Sequence, residues 1–219
     1  MAAALALPKA VLRITHLHLD PEAKIGAAHF LMMGVNPDTY GCYNTEDYAF
    51  SESYPTKSER DSADFARYAQ RMQAYGPGGY LGLLQTKIAC DYNDGTFGWG
   101  VEDDFWRGVQ NAKNTLVSNV ARSLYYDNGR HYDLWCTWAQ FLWLGTLLCG
   151  AFSGLYRSKD GKLRVVQLAL SGLFLFEMLF ETRARYLYTN VPLFIVLAVV
   201  GLREFYHRLG SRTAANQHK

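Results

Sequence analysis

A charged segment lies between two strongly apolar runs near the end of this chain of 219 residues. It contains two carboxylates and two guanidinium groups, in the order Glu177, Glu181, Arg183 and Arg185. Charged side chains at the edge of a bilayer, or within it, are costly and often serve a function. Arginine suits phosphate because its planar fork donates paired hydrogen bonds, so the segment predicts an anion site, most simply for a lipid phosphate. A structural salt bridge at a helix end explains the same residues equally well.

The spacing of these charges also predicts how they meet. On a continuous helix Glu177, Glu181 and Arg185 would share one face, because residues four apart are neighbours. We therefore expect Arg183 and Arg185 to bind the phosphate and Glu181 to orient Arg185. Glu177 and the neighbouring Tyr186 would then line the site.

Other residues of suitable chemistry lack partners at a useful spacing. The run Glu102-Asp103-Asp104 is typical of a helix start rather than of a metal site. His29 has no second histidine at ligand spacing, so we interpret it as a packed residue or as one that faces the phosphate. His16 and His18 would share one face of a strand but have no further ligand. The sequence therefore predicts no metal site, no certain cofactor and no identifiable catalytic residue, and it lacks the usual nucleotide-binding and hydrolase motifs.

The average composition hides two unlike halves. The net charge is +2 and the mean hydropathy is −0.13, so nothing in bulk favours nucleic acid as a partner. Residues 20–133 are polar and rich in Tyr, Asp, Asn and Gly, whereas residues 134–209 are mostly Leu, Phe, Val, Trp and Gly. We expect a mainly α fold, with an α-rich extracytoplasmic domain over 20–133, for which α+β is possible, and a C-terminal bundle of about three transmembrane helices.

Three apolar runs, over residues 134–155, 165–181 and 187–203, predict these helices, since about 20 residues cross a bilayer. A buried soluble hairpin is the alternative for the last two. Gly150 and Gly154 form a pair of small residues that could pack against another helix.

Basic residues set the expected orientation in the membrane. The connector 157–164 and the tail beyond Arg203 are rich in Lys and Arg, which favours the cytoplasmic side for both. Residues 20–133 and the charged segment then lie outside, and residues 210–219 form a cytoplasmic tail. The sequence thus predicts a multi-pass protein of the cytoplasmic membrane.

Turn and capping residues divide the polar half. The sequence predicts a helix over residues 58–75, capped by Thr56 or Ser58. This helix should end at Gly76-Pro77-Gly78-Gly79. We expect a second helix over 80–90 and mostly helical structure over 101–126. Between them, Asn93-Asp94-Gly95-Thr96 predicts a tight turn.

The four cysteines form no closely spaced pair. They are either isolated thiols or include a Cys42–Cys90 disulfide, which would require an oxidising compartment.

The first residues of the chain lack the pattern of a signal peptide. Residues 1–7 are apolar, but no basic residue precedes them and Pro8-Lys9 ends the run. We interpret residues 1–19 as a truncated apolar lead-in and expect an N-terminal transmembrane portion to be missing.

Two groups of residues carry a resemblance that covers most of the chain. One begins with His29-Phe30-Leu31-Met32-Met33-Gly34-Val35-Asn36, continues through Gly41-Cys42-Tyr43 and Asp47, and ends with Tyr92-Asn93-Asp94-Gly95-Thr96-Phe97-Gly98-Trp99-Gly100. The other is Phe180-Glu181-Thr182-Arg183-Ala184-Arg185-Tyr186-Leu187, ending at Pro192. In these residues the chain resembles the C-terminal part of large multispanning membrane proteins of Gram-positive bacteria. Those are glycosyltransferases of the GT-C superfamily, like the protein O-mannosyltransferase and family 39 enzymes.

The resemblance implies a polyprenyl-phosphate sugar as donor and an acceptor in the cell envelope, outside the cytoplasmic membrane. It also implies a carboxylate in the first outer loop as general base. That loop is not in this sequence, so we expect the chain to be incomplete for catalysis alone. Two other hypotheses are a non-enzymatic small membrane protein whose outer domain binds a partner or a glycan, and a nonfunctional remnant.

Overall fold

The computed structural model describes residues 20, 22–99, 114–155 and 161–217. The chain is mainly helical, with 75% helix. No strand forms within the described residues, so the polar half is α-rich there rather than α+β. The predictions for residues 1–19, for helical structure over 101–113 with Glu102-Asp103-Asp104, and for residues 157–160 of the basic connector lie outside the described residues.

The polar half begins with three helices, α1 (Ala27–Gly34), α2 (Thr45–Glu52) and α3 (Lys57–Tyr92). Thr56 starts α3 with a capping box, because its hydroxyl accepts from the Glu59 backbone N–H while the Glu59 carboxylate accepts from the backbone N–H of Thr56. The predicted cap and the predicted helix are thereby confirmed.

A kink divides α3 where the sequence predicted one helix to end and another to begin. Gly76 has φ 58° and ψ 179° there, a conformation that favours glycine because it has no Cβ. Pro77 follows directly, at a helix start where its missing N–H matters little. Helix α3 therefore has two arms, one before Gly76 and one after it.

The apolar half contains three longer helices. After α4 (Leu116–Tyr125) come α5 (Tyr132–Phe152), which runs into a 3-10 turn, and α6 (Gly161–Leu179). A short α7 (Arg185–Tyr188) precedes α8 (Val191–Gln217). The last helix thus continues past residue 203 and through most of the predicted tail 210–219.

The prediction of three membrane spans is corrected in part. Within the described residues, α5 is the one helix long and apolar enough to cross a membrane. Lys162, Arg164 and Glu177 leave 12 uncharged residues in α6, over 165–176, and Arg203 leaves 12 at the start of α8. Twelve helical residues extend about 18 Å, short of the roughly 30 Å hydrocarbon core of a bilayer.

The two apolar helices α5 and α8 pack along each other through glycine. A Cβ at Gly201 of α8 would clash with the backbone carbonyl of Cys149 in α5, so only glycine permits this approach. Gly150 lies against Leu197 of α8, but a Cβ at Gly154 would meet open space. Of the predicted pair of small residues, only Gly150 therefore has a residue of α8 within van der Waals distance of its Cβ position.

The predicted tight turn after α3 is confirmed, and it ties the polar half to α5. The Asp94 carboxylate accepts hydrogen bonds from the backbone N–H groups of Thr96 (2.8 Å) and Gly98 (2.8 Å). The indole N–H of Trp143 in α5 donates to the backbone carbonyl of Tyr92 over 3.0 Å. The end of α3 is thus fixed against the middle of α5.

All four cysteines are free thiols. Burial raises the pKa of the Cys42 thiol to about 11. The interpretation as isolated thiols therefore describes this structure, and the Cys42–Cys90 disulfide is not formed.

Candidate functional site

The charged segment is not one helix. Helix α6 ends at Leu179, and residues 180–184 are irregular until α7 begins at Arg185. The predicted stripe of Glu177, Glu181 and Arg185 therefore does not form. We call residues 180–184 the linker segment.

The linker segment packs on the first helix of the polar half. The Glu181 N–H donates to the carbonyl of Phe30 over 2.9 Å, and the Thr182 N–H donates to the carbonyl of Gly41 over 2.9 Å. Gly34 leaves no room for a side chain, since a Cβ there would collide with the Phe180 backbone. The charged segment and the polar half therefore meet, as the sequence predicted.

The side chain of Lys87, in α3, stabilises the contact between the linker segment and α1. Its ammonium group donates to three backbone carbonyls, those of Gly34 (3.0 Å), Met178 (3.1 Å) and Phe180 (2.7 Å). The side chain is fully buried, and burial lowers the pKa of Lys87 to about 8. Because the last carbonyls of a helix lack partners and carry negative charge, one cation here stabilises the ends of α1 and α6 together.

Two buried carboxylates lie beside Lys87. Asp91, one turn further along α3, accepts a hydrogen bond from the Thr182 hydroxyl, and Glu177 accepts one from the Tyr92 hydroxyl over 3.2 Å. Neither the Asp91 Oδ1 nor the Glu177 Oε1 atom has a hydrogen-bond partner in the described part of the chain. Burial raises the pKa of Asp91 to about 6.

Glu181 contacts Arg183 and Tyr186, two of the residues that the sequence assigned to the phosphate site. Its Oε1 atom accepts a hydrogen bond from the Tyr186 hydroxyl over 3.1 Å and lies 3.8 Å from the Nε atom of Arg183. Arg183 also stacks over the ring of Tyr43, at 5.4 Å. Arg185 is exposed and lies over the Tyr186 ring at 5.6 Å. The Glu181 carboxylate therefore orients Arg183, a pairing that the helical stripe did not predict.

His29 lies in a separate buried cluster. Its Nδ1 atom is 2.6 Å from the Ser51 hydroxyl oxygen, and that hydroxyl donates to Asp64 over 2.7 Å. The three residue types match a catalytic triad, but here the serine lies between the histidine and the aspartate, and all three side chains are buried. Burial lowers the pKa of His29, which favours neutral imidazole. This buried cluster stabilises the polar half.

Asp47 is the centre of the third buried group. Arg71 donates to both of its carboxylate oxygens, over 2.7 and 2.8 Å, and Asn36 donates to one of them over 2.7 Å. Burial alone would raise the pKa of Asp47, but these hydrogen bonds outweigh it and hold the pKa below its usual range. Arg71 also donates to the carbonyl of Met32, over 2.9 Å.

Sequence reasoning missed the residues of α3 that organise these groups. Arg60 and Asp64 are four residues apart, as are Lys87 and Asp91, so each pair lies on one helix face. That spacing was a usable signal. It did not indicate that both faces are buried.

A cavity of about 520 Å³ lies between α5, α6 and α8. Its lining is mostly apolar, and Tyr92, whose hydroxyl contacts Glu177, also lines it. The lining residues are Tyr92, Leu147, Gly150, Ala151, Ser153, Gly154, Gln167, Leu170, Ser171, Phe174, Leu175, Phe194 and Leu197.

A match to a family of membrane proteins covers nearly the whole chain. A family model described as conserved hypothetical integral membrane protein matches residues 2–205. The chain belongs to this family. No curated protein and no solved structure matches the chain. Membership makes the chain an integral membrane protein, which agrees with the length and apolar character of α5.

Proposed function

We propose that the chain forms the lipid-phosphate-binding part of a membrane glycosyltransferase that takes its sugar from a polyprenyl phosphate and acts on the cell envelope. One observation carries this function: an apolar cavity and a charged segment are joined through Tyr92 and Glu177. A polyprenyl phosphate has the matching chemistry, with an apolar tail and an anionic head.

The membrane helices supply the site for the tail. The cavity between α5, α6 and α8 has a volume of about 520 Å³ and a mostly apolar lining, which suits an unsaturated hydrocarbon chain. In this arrangement α6 and α8 enter the bilayer beside α5, with Lys162 and Arg203 reaching the headgroups at the cytoplasmic surface. Glu177 is fully buried, so it faces protein rather than lipid.

The linker segment supplies the site for the head. Arg183 is held by the Glu181 carboxylate and the Tyr43 ring, and the exposed Arg185 follows two residues later. A leaving lipid phosphate gains negative charge as the glycosidic bond breaks, so guanidinium groups already in place stabilise the transition state. Residues 20–133 then face the extracytoplasmic side, together with the acceptor.

Binding of a polyprenyl phosphate to the purified chain in lipid nanodiscs tests the phosphate site. Arg183→Ala should weaken binding roughly 10- to 100-fold, since a hydrogen bond to a charged group contributes about 1.5–3 kcal/mol. Arg203→Ala removes an equal charge from the other end of the apolar run and should leave binding unchanged. The dephosphorylated polyprenol should bind wild type and Arg183→Ala alike. Equal phosphate binding by wild type and Arg183→Ala would exclude this site.

Sugar transfer in native membranes tests the activity itself. Deletion of the gene should lower the transfer of labelled sugar from polyprenyl phosphate to envelope material. The wild-type gene should restore transfer, whereas Arg185→Ala should not, although the variant protein is present in the membrane.

A non-enzymatic role is the second candidate, and one observation favours it. His29, Asp47 and Asp64 have the chemistry of catalytic groups, but all are buried in stabilising clusters. An outer domain built this way could bind a partner or an envelope glycan without catalysing a reaction. Phosphate binding without any change in sugar transfer on deletion would favour this role.

A further inference from the structure

Helix α4 has two chemically different faces. Leu116, Val117, Val120 and Leu124 fall on one side of the helix, whereas Ser118, Asn119, Arg122 and Ser123 fall on the other. This division is typical of a helix that lies on an apolar surface.

The apolar face of α4 is exposed. Leu116 is 81% exposed, Val117 78% and Val120 50%, and no residue of the helix is buried. Exposed apolar residues this close together mark a contact surface.

The polar face of α4 is attached to the start of α5. The Ser123 hydroxyl lies 2.7 Å from the Nδ1 atom of His131, and the His131 N–H donates to the Ser123 carbonyl over 2.9 Å. A capping box between Thr115 and Ser118 closes the other end of α4. These contacts hold α4 next to the first residues of α5, the membrane-crossing helix.

Aromatic side chains surround the same junction. The Trp99 ring lies 5.0 Å from that of Tyr125 and 6.2 Å from that of Tyr132, and Tyr125 lies 6.3 Å from Trp135. Tryptophan and tyrosine concentrate at the membrane–water interface, where their polar atoms meet headgroups and their rings meet acyl chains.

We infer that α4 is an interfacial helix whose apolar face is buried in the lipid surface where α5 enters the membrane. The occupant of this face is lipid because the surface is continuous with the start of α5, in a chain that belongs to an integral membrane family. An amphipathic helix in this position buries its apolar side at the boundary of headgroups and acyl chains. The inference does not depend on the proposed glycosyltransferase activity.

Fluorescence quenching at two adjacent positions tests this placement. Val120→Cys and the matched control Asn119→Cys are each labelled with a polarity-sensitive dye in the full chain, in nanodiscs. Both variants keep the four native cysteines, and their signal is subtracted using the labelled wild-type chain. Brominated lipid should quench the dye at position 120 at least about twofold more than at 119, and aqueous iodide should show the reverse order.

Two outcomes would overturn the inference. Equal quenching of both positions by iodide, without quenching by brominated lipid, would place the apolar face in water. Protection of position 120 from both quenchers, with disulfide-linked dimers of Val120→Cys on oxidation, would place a second copy of the chain there.

Discussion

The polar helices α1 to α3 and the apolar helices α5, α6 and α8 are stabilised in different ways. In the first group, charged residues are buried and hydrogen-bonded to each other or to helix ends, as for Lys87 and Asp47. In the second group, Trp143 is the one buried residue of α5, while most of its large apolar side chains are exposed. Polar contacts therefore specify the first region, whereas the close backbone approach of α5 and α8 at Gly201 holds the second.

Of the substitutions considered, removal of the Lys87 charge should lower the stability most, because it destabilises the polar region. Lys87→Met leaves three carbonyls and the Asp91 carboxylate without their cation, so we expect a loss of about 3–5 kcal/mol in the free energy of unfolding. Denaturant titration in detergent measures it. Lys57→Met removes a lysine whose ion pair with Asp61 is partly exposed, and should cost at most about 1 kcal/mol. Similar losses for the two variants would contradict the stabilising role of Lys87.

Lowering the pH should change the stability of the polar region through protonation of Asp91. The pKa of its folded form is about 6, and that of an unfolded aspartate is about 3.9. The folded state therefore binds the proton more tightly, and stability should rise as the pH falls from about 6 to 4. The free energy of unfolding of wild type minus that of Asp91→Asn should increase by at most roughly 3 kcal/mol over this range. A difference that falls with acidification would show that Asp91 is stabilised as the charged form.

Replacement of two different glycines in the apolar region by alanine should change the stability in opposite directions. Gly201→Ala should destabilise the packing of α5 on α8 by about 1–3 kcal/mol, because its Cβ would meet the Cys149 carbonyl. Gly145→Ala in α5 places the same methyl group in open space and should stabilise the helix by up to about 1 kcal/mol. Thermal melting in detergent compares the two. Stabilisation by Gly201→Ala would show that the two helices do not approach closely there.

Local signals in the sequence were sufficient for the kinked helix α3 and the turn after it, but they did not predict α1 or α2. The capping residue Thr56, the break at Gly76 and the turn at Asp94 each act through neighbours within a few residues, and each was predicted. The helical stripe through Glu181 was wrong because the end of α6 depends on distant contacts. Lys87 takes the carbonyls of Met178 and Phe180, which lie more than 90 residues away in the sequence. Spacing along the chain carries no information about such a contact.

The apolar runs were recognisable in the sequence, but the sequence did not determine how many of them span a membrane. Hydropathy located α5, α6 and α8, although it did not fix their ends. Whether Glu177 or Arg203 interrupts a span depends on what those side chains face, which composition alone does not determine. The phosphate-binding role of Arg183 and Arg185 remains a prediction.

Helix α1 has a mechanical consequence for the kink in α3. Arg71, from the arm before Gly76, binds the carbonyl of Met32, and Lys87, from the arm after it, binds the carbonyl of Gly34. Both arms of α3 are thus anchored to the same short helix, one on each side of the glycine. A change in the kink angle would have to break one of these hydrogen bonds, so α1 restrains the bend although the bend lies at the most flexible type of residue.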